Sequence, residues 1–476
     1  MKKTDIFDMG FYSGEPSIAI ESRVNCLYAI RKGVSDSKMV IKCAPGSKIF
    51  TTLPDNGPIR GMHVVGDTLY VVADVNLWAI TSSGVCTKLA TLPRLPNLVG
   101  MADNYIQLLI VDGSGGYVYD LIGTTGLRTI YDQNFPNGAR TCTFLSSRFI
   151  VEKPTTREFY VSELLDGLSW TVANLPIYAT KEQASDLLVA VENLSGMLIL
   201  WGHNTTEFWQ DAGLTPNPFQ RITGATQSFG VSAVDSRVQL NGATYFLGSV
   251  AQGGLAVYMT GGGTPVRVST DDVDDYISDM AMTSTVIDAV GLTYRAEGHD
   301  IYQLTFPSAN RTLLFDSSSL AWSIGQTGLQ EGRHFAHVGT NFNASTLFGD
   351  SNSPNIYAFS TDLHTEIGQP RIRQVTSKHL RHNGDEFSIN EVALIMDTGA
   401  VPQSADYHIM LEVSRDGGRI FGSPRNRTIG MVGQYRTPRV KWDRLGSARD
   451  FVLRFTLVDP VPFNIAGVEI DVSSST

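Results

Sequence analysis

Residues 62–90, MHVVGDTLYVVADVNLWAITSSGVCTKLA, decide the fold of this chain. They contain four short apolar runs that are separated by turn-forming Gly, Asp, Asn and Ser residues. Short runs of β-branched and aromatic residues divided by such turns predict one antiparallel meander of four strands. A single meander cannot cover both of its faces, so we expect further units of the same kind to pack beside it.

The same pattern recurs along the chain. Residues 105–131 repeat it around a Gly-rich turn, and similar units open near residues 60, 100, 138, 186, 230, 284 and 331. Their mean spacing is about 45 residues, which is the period of a four-stranded β-propeller blade. The sequence therefore predicts an all-β fold with a β-propeller of six or seven four-stranded blades, and two β-sandwiches built from similar meanders are the alternative. We expect the strand Met39–Cys43 to complete the last blade and to close the ring.

The pattern changes after residue 375, where the strands become longer and alternate between apolar and polar residues. Such strands, joined by longer connections, are typical of a β-sandwich. They cover residues 387–397, 407–414, 439–442, 451–457 and 465–472. We therefore expect three parts, namely an N-terminal arm with the propeller-closing strand at 1–59, the propeller at 60–375 and a C-terminal β-sandwich-like module at 376–476.

The composition agrees with a β-rich protein that has a large core. Of 476 residues, 42% are hydrophobic and only 18% are charged, and the 45 Gly and 20 Pro disfavour long helices and coiled coils. The apolar runs are shorter than the roughly 20 residues of a membrane helix, and the first residues lack the apolar stretch of a signal peptide. We expect no direct membrane insertion and assembly in a cytoplasm, with the four scattered cysteines reduced.

The charge is distributed unevenly along the chain. The net charge of −10 excludes a globally basic nucleic-acid coat, because binding to phosphate requires an excess of Lys and Arg. Residues 366–454, however, hold 14 Lys and Arg against 10 Asp and Glu, whereas the rest of the chain holds 23 against 37. The sequence thus predicts a basic C-terminal module on an acidic body.

Motifs of common enzymes are missing from the sequence. It contains no G-x-S-x-G elbow, no P-loop and no H-E-x-x-H motif. The histidine pairs at 334/337 and 379/382 point to opposite faces if they lie on strands, and no third ligand stands at zinc spacing. The acidic run at 271–275 lacks the ligand pattern of a calcium loop, and we expect it to form a solvated turn between blades. No catalytic residue, metal or cofactor is therefore expected.

Two segments resemble ligand-binding motifs. Residues 414–421, SRDGGRIF, resemble the S-x-D-x-G-x-x-W turn of sialidase blades, but they occur once and outside the blades, which favours a tight hairpin turn with Gly at positive φ. The aromatic residues within 201–209 are typical of a stacking platform or of packing between blades, and we favour packing. Two suitably placed carboxylates suffice for a glycosidase, so a carbohydrate-active, sialidase-like propeller enzyme stays an alternative. A receptor-binding propeller is another.

Several longer segments resemble the tail hub, or nozzle, protein of short-tailed bacteriophages, also called the packaged DNA stabilisation protein. The resemblance runs in order from about residue 20 to 470. The segments that carry it are LILWGHNTTEFW at 198–209, GATYFLG at 242–248, DAVGLTYRAEGHDIYQLTFP at 288–307, GQYR at 433–436 and VKWDRLGSARD at 440–450, together with Arg23, Asn25, Tyr28, Pro45, Gly46, Asp316, Trp322, residues 411–414 and residues 416–418.

This resemblance implies a structural protein of the virion tail that is not an enzyme. It implies a homo-hexameric ring below the portal and its adaptor ring, which extends the DNA channel, retains packaged double-stranded DNA and conducts the genome during ejection. Tailspikes or tail fibres attach outside such a ring, and a needle or plug protein closes it. A large β-rich body without an enzyme motif is consistent with these expectations.

The charge split suggests which residues meet a partner. DNA that slides through a channel must not bind tightly, because every phosphate neutralised by Lys or Arg adds affinity. An acidic or neutral lumen therefore lets DNA pass, and the basic residues of the last module become candidates for contacts with acidic surfaces of neighbouring subunits or with DNA at a gate. These candidates are Arg371, Arg373, Arg425, Arg427, Arg436, Arg439, Lys441 and Arg444.

Overall fold

The N-terminal part of the chain contributes strands rather than a separate domain. A computed structural model describes residues 2–4, 6–7, 11, 22–30, 39–93, 97–182, 186–250, 254–396, 398, 407–430 and 439–474. Within these residues the predicted all-β class is confirmed. Five strands precede the repeats: β1 (Lys2–Thr4), β2 (Ser22–Val24), β3 (Cys26–Ile30), β4 (Met39–Cys43) and β5 (Gly46–Thr52).

The described residues form seven propeller blades, each an antiparallel sheet whose first strand lies innermost. Blades 1 and 2 are β6 (Ile59–Val65), β7 (Thr68–Ala73), β8 (Asn76–Ile80) and β9 (Cys86–Thr91), then β10 (Gly100–Asp103), β11 (Gln107–Val111), β12 (Gly116–Asp120) and β13 (Leu127–Thr129). Blade 3 is β14 (Cys142–Leu145), β15 (Arg148–Glu152), β16 (Glu158–Val161) and β19 (Tyr178–Thr180), with an inserted hairpin of β17 (Thr171–Val172) and β18 (Leu175–Pro176). Blade 4 is β20 (Leu188–Leu194), β21 (Met197–Gly202), β22 (Thr206–Asp211) and β23 (Phe219–Arg221).

The remaining blades depart more from the regular pattern. Blade 5 has an innermost strand divided into β24 (Phe229–Val231) and β25 (Val238–Leu240) by the 3-10 helix Val234–Ser236, followed by β26 (Ala243–Val250), β27 (Leu255–Thr260) and β28 (Val266–Arg267). Blade 6 is β29 (Val290–Ala296), β30 (His299–Phe306), β31 (Arg311–Asp316) and β32 (Ala321–Ile324). Blade 7 takes three strands from the end of the repeat: β33 (Ala336–Phe342), β34 (Ser345–Asp350) and β35 (Asn355–Ser360).

The ring is closed by β5 and not by Met39–Cys43, so the predicted closing strand was wrong. β5 supplies the outermost strand of blade 7 and pairs antiparallel with β35, with Ser47 opposite Phe359. Met39–Cys43 instead pairs with β3 and packs on the C-terminal core. The physical reason is that the outermost strand of a blade is half exposed and reads as polar, whereas the more apolar run belongs to a buried sheet.

Apolar layers between neighbouring blades form the propeller core. Trp170 lies between blades 2 and 3, Trp209 between blades 3 and 4, Trp201 between blades 4 and 5, and Trp322 between blades 5 and 6. Trp201 and Trp209 come from the aromatic segment 201–209, and both are buried. The prediction that this segment packs between blades is therefore confirmed.

The acidic run at 271–275 begins an α-helix, so the predicted solvated turn was wrong. This helix, α1 (Asp271–Thr283), starts at Thr270, whose side chain accepts a hydrogen bond from the Val273 backbone N–H. Carboxylates in the first turn are stabilised by the helix dipole, and buried Val273, Ile277 and Met280 follow the helical period. These signals together outweigh the loop-like appearance of four aspartates.

The C-terminal strands form a β-sandwich, as the sequence predicts. They are β36 (Arg373–Thr376), β37 (Leu380–Arg381), β38 (Phe387–Met396), β39 (His408–Ser414), β40 (Arg425–Thr428), β41 (Arg439–Ala448), β42 (Asp450–Leu457) and β43 (Ile465–Ser474). One sheet has the order β3-β4-β43-β38-β41, with β1 also on β43, and the facing sheet has the order β36-β42-β39-β40. The N-terminal strands thus complete the sandwich.

Strand β2 joins the propeller to the sandwich. It pairs in parallel with β32 of blade 6, Val24 lying opposite Ile324, and antiparallel with β36, Arg23 lying opposite Val375. Blade 6 and one sandwich sheet are therefore a single continuous sheet of ten strands. Upstream of β2, Ile6 is buried in the sandwich core and Phe11 in the core between blades 5 and 6.

Candidate functional site

The eight basic residues predicted at an interface or gate lie in different environments. Arg371 and Arg373 are buried between the propeller and the sandwich. Arg425, Arg427, Arg439, Lys441 and Arg444 lie along strands β40 and β41 at one edge of the sandwich, and Arg436 lies outside the described residues.

Arg371 is a structural residue at the domain junction. Its side chain is 1% exposed, and its guanidinium donates to the Pro45 carbonyl at 2.7 Å, to the Ala44 carbonyl and to Glu366 Oε1 at 2.8 Å. Glu366 also accepts from Ser47 Oγ at 2.5 Å, and His334 Nε2 lies 3.7 Å from its carboxylate. Burial raises the pKa of Glu366, but the facing His334 and Arg371 outweigh it and hold that pKa below its ordinary value.

Arg373 holds a neighbouring part of the same junction. It is fully buried and donates to the carbonyls of Asp459 and Val461, and its Nη1 lies 3.5 Å from Cys43 Sγ. A side chain without exposed surface cannot meet DNA or a neighbouring subunit. The predicted interface role is therefore corrected for Arg371 and Arg373, which connect β4 and β5 to the C-terminal part of the chain.

A row of arginines covers one edge of β41, which pairs with β38 on its other side and with no second strand among the described residues. Arg427 Nε donates to the Lys441 carbonyl at 2.9 Å, and Arg425 Nη1 to the carbonyls of Asp443 and Arg444 at 3.2 Å each. Arg415 donates to the Leu445 carbonyl at 2.8 and 3.1 Å. Unpaired strand edges promote association with other chains, so these side chains protect the edge. We call Arg415, Arg425 and Arg427 the edge arginines.

The other candidates on β41 are exposed. Arg439 pairs with Glu469 at 2.8 Å and Lys441 with Glu391 at 2.7 Å. The Arg444 guanidinium is exposed and bonds to no other group in the described part of the chain. Exposed ion pairs of this kind contribute roughly 0–1 kcal/mol to stability, so the charges remain available to a partner.

The sialidase-like segment at 414–421 forms a hairpin turn after β39. Ser414 Oγ donates to Asp416 Oδ1 at 2.6 Å, and the backbone N–H groups of Arg419 and Ile420 donate to the same oxygen. Gly417 and Gly418 have φ of 72° and 88°, which other residues adopt only with strain. The predicted tight turn is confirmed, and it gives no support to a carbohydrate-active site.

The two histidine pairs lie in different parts of the fold and have different acidic neighbours. His334 lies beside Glu366, whereas His379 Nδ1 is 2.9 Å from Asp450. Burial lowers the pKa of His337 to about 4, with help from Arg333. Within the described ranges, no group of three or more His, Cys, Asp or Glu side chains converges as a metal site would require.

The innermost strands of all seven blades surround an axial cavity of about 510 Å³. Arg140, just before β14, and Asp235, in the 3-10 helix of blade 5, form an ion pair of 3.2 Å there. Glu192 of blade 4 accepts hydrogen bonds from Gln239 at 2.9 Å and from Arg237 at 3.3 Å. Charged side chains from the nonadjacent blades 3 and 5 thus meet in the axial cavity.

A buried carboxylate, that of Glu152, holds two of the residues that line this cavity, Arg140 and Thr141. Glu152 accepts hydrogen bonds from the backbone N–H groups of Arg140 and Thr141 and from Thr141 Oγ1, and Thr141 Oγ1 accepts in turn from the Val191 N–H of blade 4. Burial raises the pKa of Glu152 to about 6 in spite of these bonds. This group could not be predicted from the sequence, since one Glu at a strand end has no distinguishing pattern.

Two family models match the chain one after the other. Residues 20–364 match the model described as bacteriophage P22 Gp10, β-propeller, and residues 372–473 match the model described as bacteriophage P22 Gp10, β-sandwich. The chain belongs to the bacteriophage P22 Gp10 family. This is a family of phage proteins that stabilise packaged DNA, so the resemblance stated above is confirmed. Arg371 and Glu366 of this Gp10-family chain lie between the two matched ranges.

The chain also resembles solved propeller structures at low identity. The N-terminal domain of Nup159 is 9% identical, with a TM-score of 0.39, over 70% of this chain and 97% of that one. The WD40 β-propeller domain of Doa1 is 11% identical, with a TM-score of 0.41, over 66% of this chain and 97% of that one. The extracellular domain of the putative hybrid two component system BT4673 from B. thetaiotaomicron is 7% identical, with a TM-score of 0.44, over 76% of this chain and 44% of that one. These similarities have no bearing on function.

No curated protein matches the Gp10-family sequence significantly. In the part of the chain that the structure describes, no helix has the length and hydropathy needed to span a membrane.

Proposed function

We propose that this chain forms a hexameric ring in the virion tail, below the portal and its adaptor ring, where it extends and closes the DNA channel and retains packaged DNA. The observation that carries the proposal is the tandem match of both domains to the bacteriophage P22 Gp10 family. In the same proposal the ring anchors tailspikes or tail fibres and a needle or plug protein, and conducts the genome during ejection. It assembles in the host cytoplasm.

The axial cavity supports a channel between subunits and not through one propeller. Arg140 and Asp235 form an ion pair inside the axial cavity, and a cavity of about 510 Å³ holds only small molecules. Double-stranded DNA therefore cannot follow the axis of one subunit. A ring of several copies provides a wider passage around its own symmetry axis.

The charge distribution is consistent with a passage through which DNA slides. Outside residues 366–454 the chain is acidic, so a lumen lined by this surface repels phosphate. The burial of Arg371 and Arg373 removes two positive charges from the surface that the sequence assigned to a gate. The exposed Arg and Lys side chains on β40 and β41 are then better placed to join subunits than to hold DNA.

The proposal is tested with phage that carry a nonsense mutation in the gene for this chain. We expect their particles to package DNA and to lose it after lysis, and we expect the purified chain, mixed with its adaptor ring, to give sixfold rings in electron micrographs. Particles that keep their DNA without this chain would overturn the role in retention. Rings of another symmetry would overturn the hexamer alone.

A further inference from the structure

Blades 2 and 3 expose an apolar surface at one end of their strands. Its five side chains lie on three neighbouring turns, and Tyr105 is 74% exposed, Ile122 73% and Leu164 62%. The turns are in contact, because the Leu121 N–H donates to the Ile106 carbonyl at 2.8 Å and Asn104 Nδ2 to the Leu165 carbonyl at 3.3 Å. Exposed apolar patches of this kind mark interaction surfaces. We call Tyr105, Ile106, Ile122, Leu164 and Leu165 the apolar turn patch.

Acidic residues surround the apolar turn patch. The three turns, residues 103–107, 120–126 and 162–168, contain four acids and no Lys or Arg. The four acids are Asp103, Asp120, Glu163 and Asp166. A partner that matches this surface must therefore present an apolar group with positive charge around it.

The sandwich of the same chain presents such a surface. In the turn between β39 and β40, Ile420 is 72% exposed, and it borders a cavity of about 540 Å³ that Pro424 and Arg425 also line. Residues 415–427 contain four arginines, and their one acid, Asp416, accepts the hydrogen bonds of its own turn. We call residues 415–427 the basic tip.

The apolar turn patch and the basic tip lie on different sides of one subunit. The sandwich continues the sheet of blade 6, whereas the patch belongs to blades 2 and 3, each of which lies three blades away by the shorter way round the ring of seven. Closed rings of identical subunits need two different surfaces on each subunit that fit one another. Both surfaces are present on this chain, since each exposes apolar side chains and the two are opposite in charge.

We infer that the basic tip of one copy docks on the apolar turn patch of the next copy. Ile420 covers the exposed apolar side chains of the patch, and Arg419, the arginine of the basic tip that is not one of the edge arginines, faces Glu163 and Asp166 at its border. This interface rests on the proposed ring and assigns its two faces. It also explains why the positive charge of the chain is concentrated in the sandwich.

The test places the photo-crosslinker p-benzoylphenylalanine at position 105 of the full chain in assembled phage particles. Tyr105 is exposed and already aromatic, so the replacement leaves the fold intact. We expect irradiation to give an adduct with twice the mass of this chain, in which peptide mapping joins position 105 to residues 415–427 of a second copy. The matched control carries the same group at Tyr131, which is 86% exposed at the opposite end of the strands of blade 2.

Each other outcome overturns the interface. Particles in which position 105 crosslinks to a different virion protein, to another part of this chain or to nothing contradict it, and so does an identical adduct from the Tyr131 control. None of these results touches the proposed function, because the particles still contain the chain and their DNA content is measured separately. Loss of DNA retention is the readout for the ring itself.

Discussion

The replacement Arg371→Leu tests how the propeller is fastened to the sandwich. It removes the donor to Glu366 Oε1 and to the carbonyls of Ala44 and Pro45, the residues directly before β5. The Glu366 carboxylate is then left buried without its guanidinium. Removal of one partner of a buried ion pair costs about 3–5 kcal/mol, because the remaining charge is uncompensated.

This loss is large enough to measure as a change in melting temperature. For large domains, 1 kcal/mol shifts the melting temperature by about 2 °C, so we expect the Arg371→Leu protein to melt about 6–10 °C below the wild type by scanning calorimetry. The control Arg444→Leu changes an exposed guanidinium and should stay within about 1 °C, since surface substitutions change stability by roughly 0.5 kcal/mol or less.

A double-mutant cycle separates the ion pair from general damage. Glu366→Leu combined with Arg371→Leu leaves no unpaired buried charge, so the double variant should lose less stability than the two single variants added together. Additive losses, or an Arg371→Leu protein that melts with the wild type, would refute the reasoning. An Arg371→Leu protein with a normal melting temperature and impaired DNA retention would support the original prediction that Arg371 contacts DNA at a gate.

Three further predictions concern other parts of the fold. The pKa of Glu152 is raised to about 6, so the folded chain holds this proton more tightly than the unfolded chain, and the stability that it contributes below pH 4.5 is lost as the pH rises to 6. In urea unfolding, Glu152→Gln should reduce the fall in the free energy of unfolding over this pH range by about 2 kcal/mol. A variant with the same pH dependence as the wild type contradicts this prediction. Phe11→Ala should cost about 3–5 kcal/mol in thermal unfolding, because Phe11 is buried against Tyr276, and an unaltered melting temperature would mean that it is not anchored there. Replacement of the three edge arginines by Ala should cause concentration-dependent aggregation in light scattering, whereas Arg439→Ala should not, and equal scattering of the two proteins argues against edge protection.

The repeat was predictable from sequence, and its irregular members were not. Turn residues between short apolar runs reveal regular blades such as blade 1. The count of six or seven stayed open because blade 5 has a divided innermost strand and blade 7 takes its last strand from residues 46–52. That strand, GSKIFTT, carries little apolar pattern, since its edge faces solvent. The pairing partners of the N-terminal strands were equally hidden, because pairing between the two ends of a chain leaves no local signal.

The candidate site was predicted less well than the fold. Charge counting places arginines at the surface, where most of them are, and so it misassigned Arg371 and Arg373. One signal was present, because Arg373 and Val375 share a face of β36 by alternation and both are buried. Arg415 was missed because its role depends on the carbonyls of β41, which lie about 30 residues further along the chain.

The pairing of β5 with β35 also has a consequence for synthesis. Ser47 leaves the ribosome about 310 residues before its partner Phe359, an interval of roughly 15–60 s at 5–20 residues per second. The interval is longer still between β1 and its partner β43 and between β2 and its partner β36. Until β35 has been made, the blades that precede it form an open row, because β5 has no partner with which to close the ring. The ring therefore cannot close before residue 359 of 476 has been made, and its folding is expected to be slow, as for other chains that are rich in contacts between distant residues.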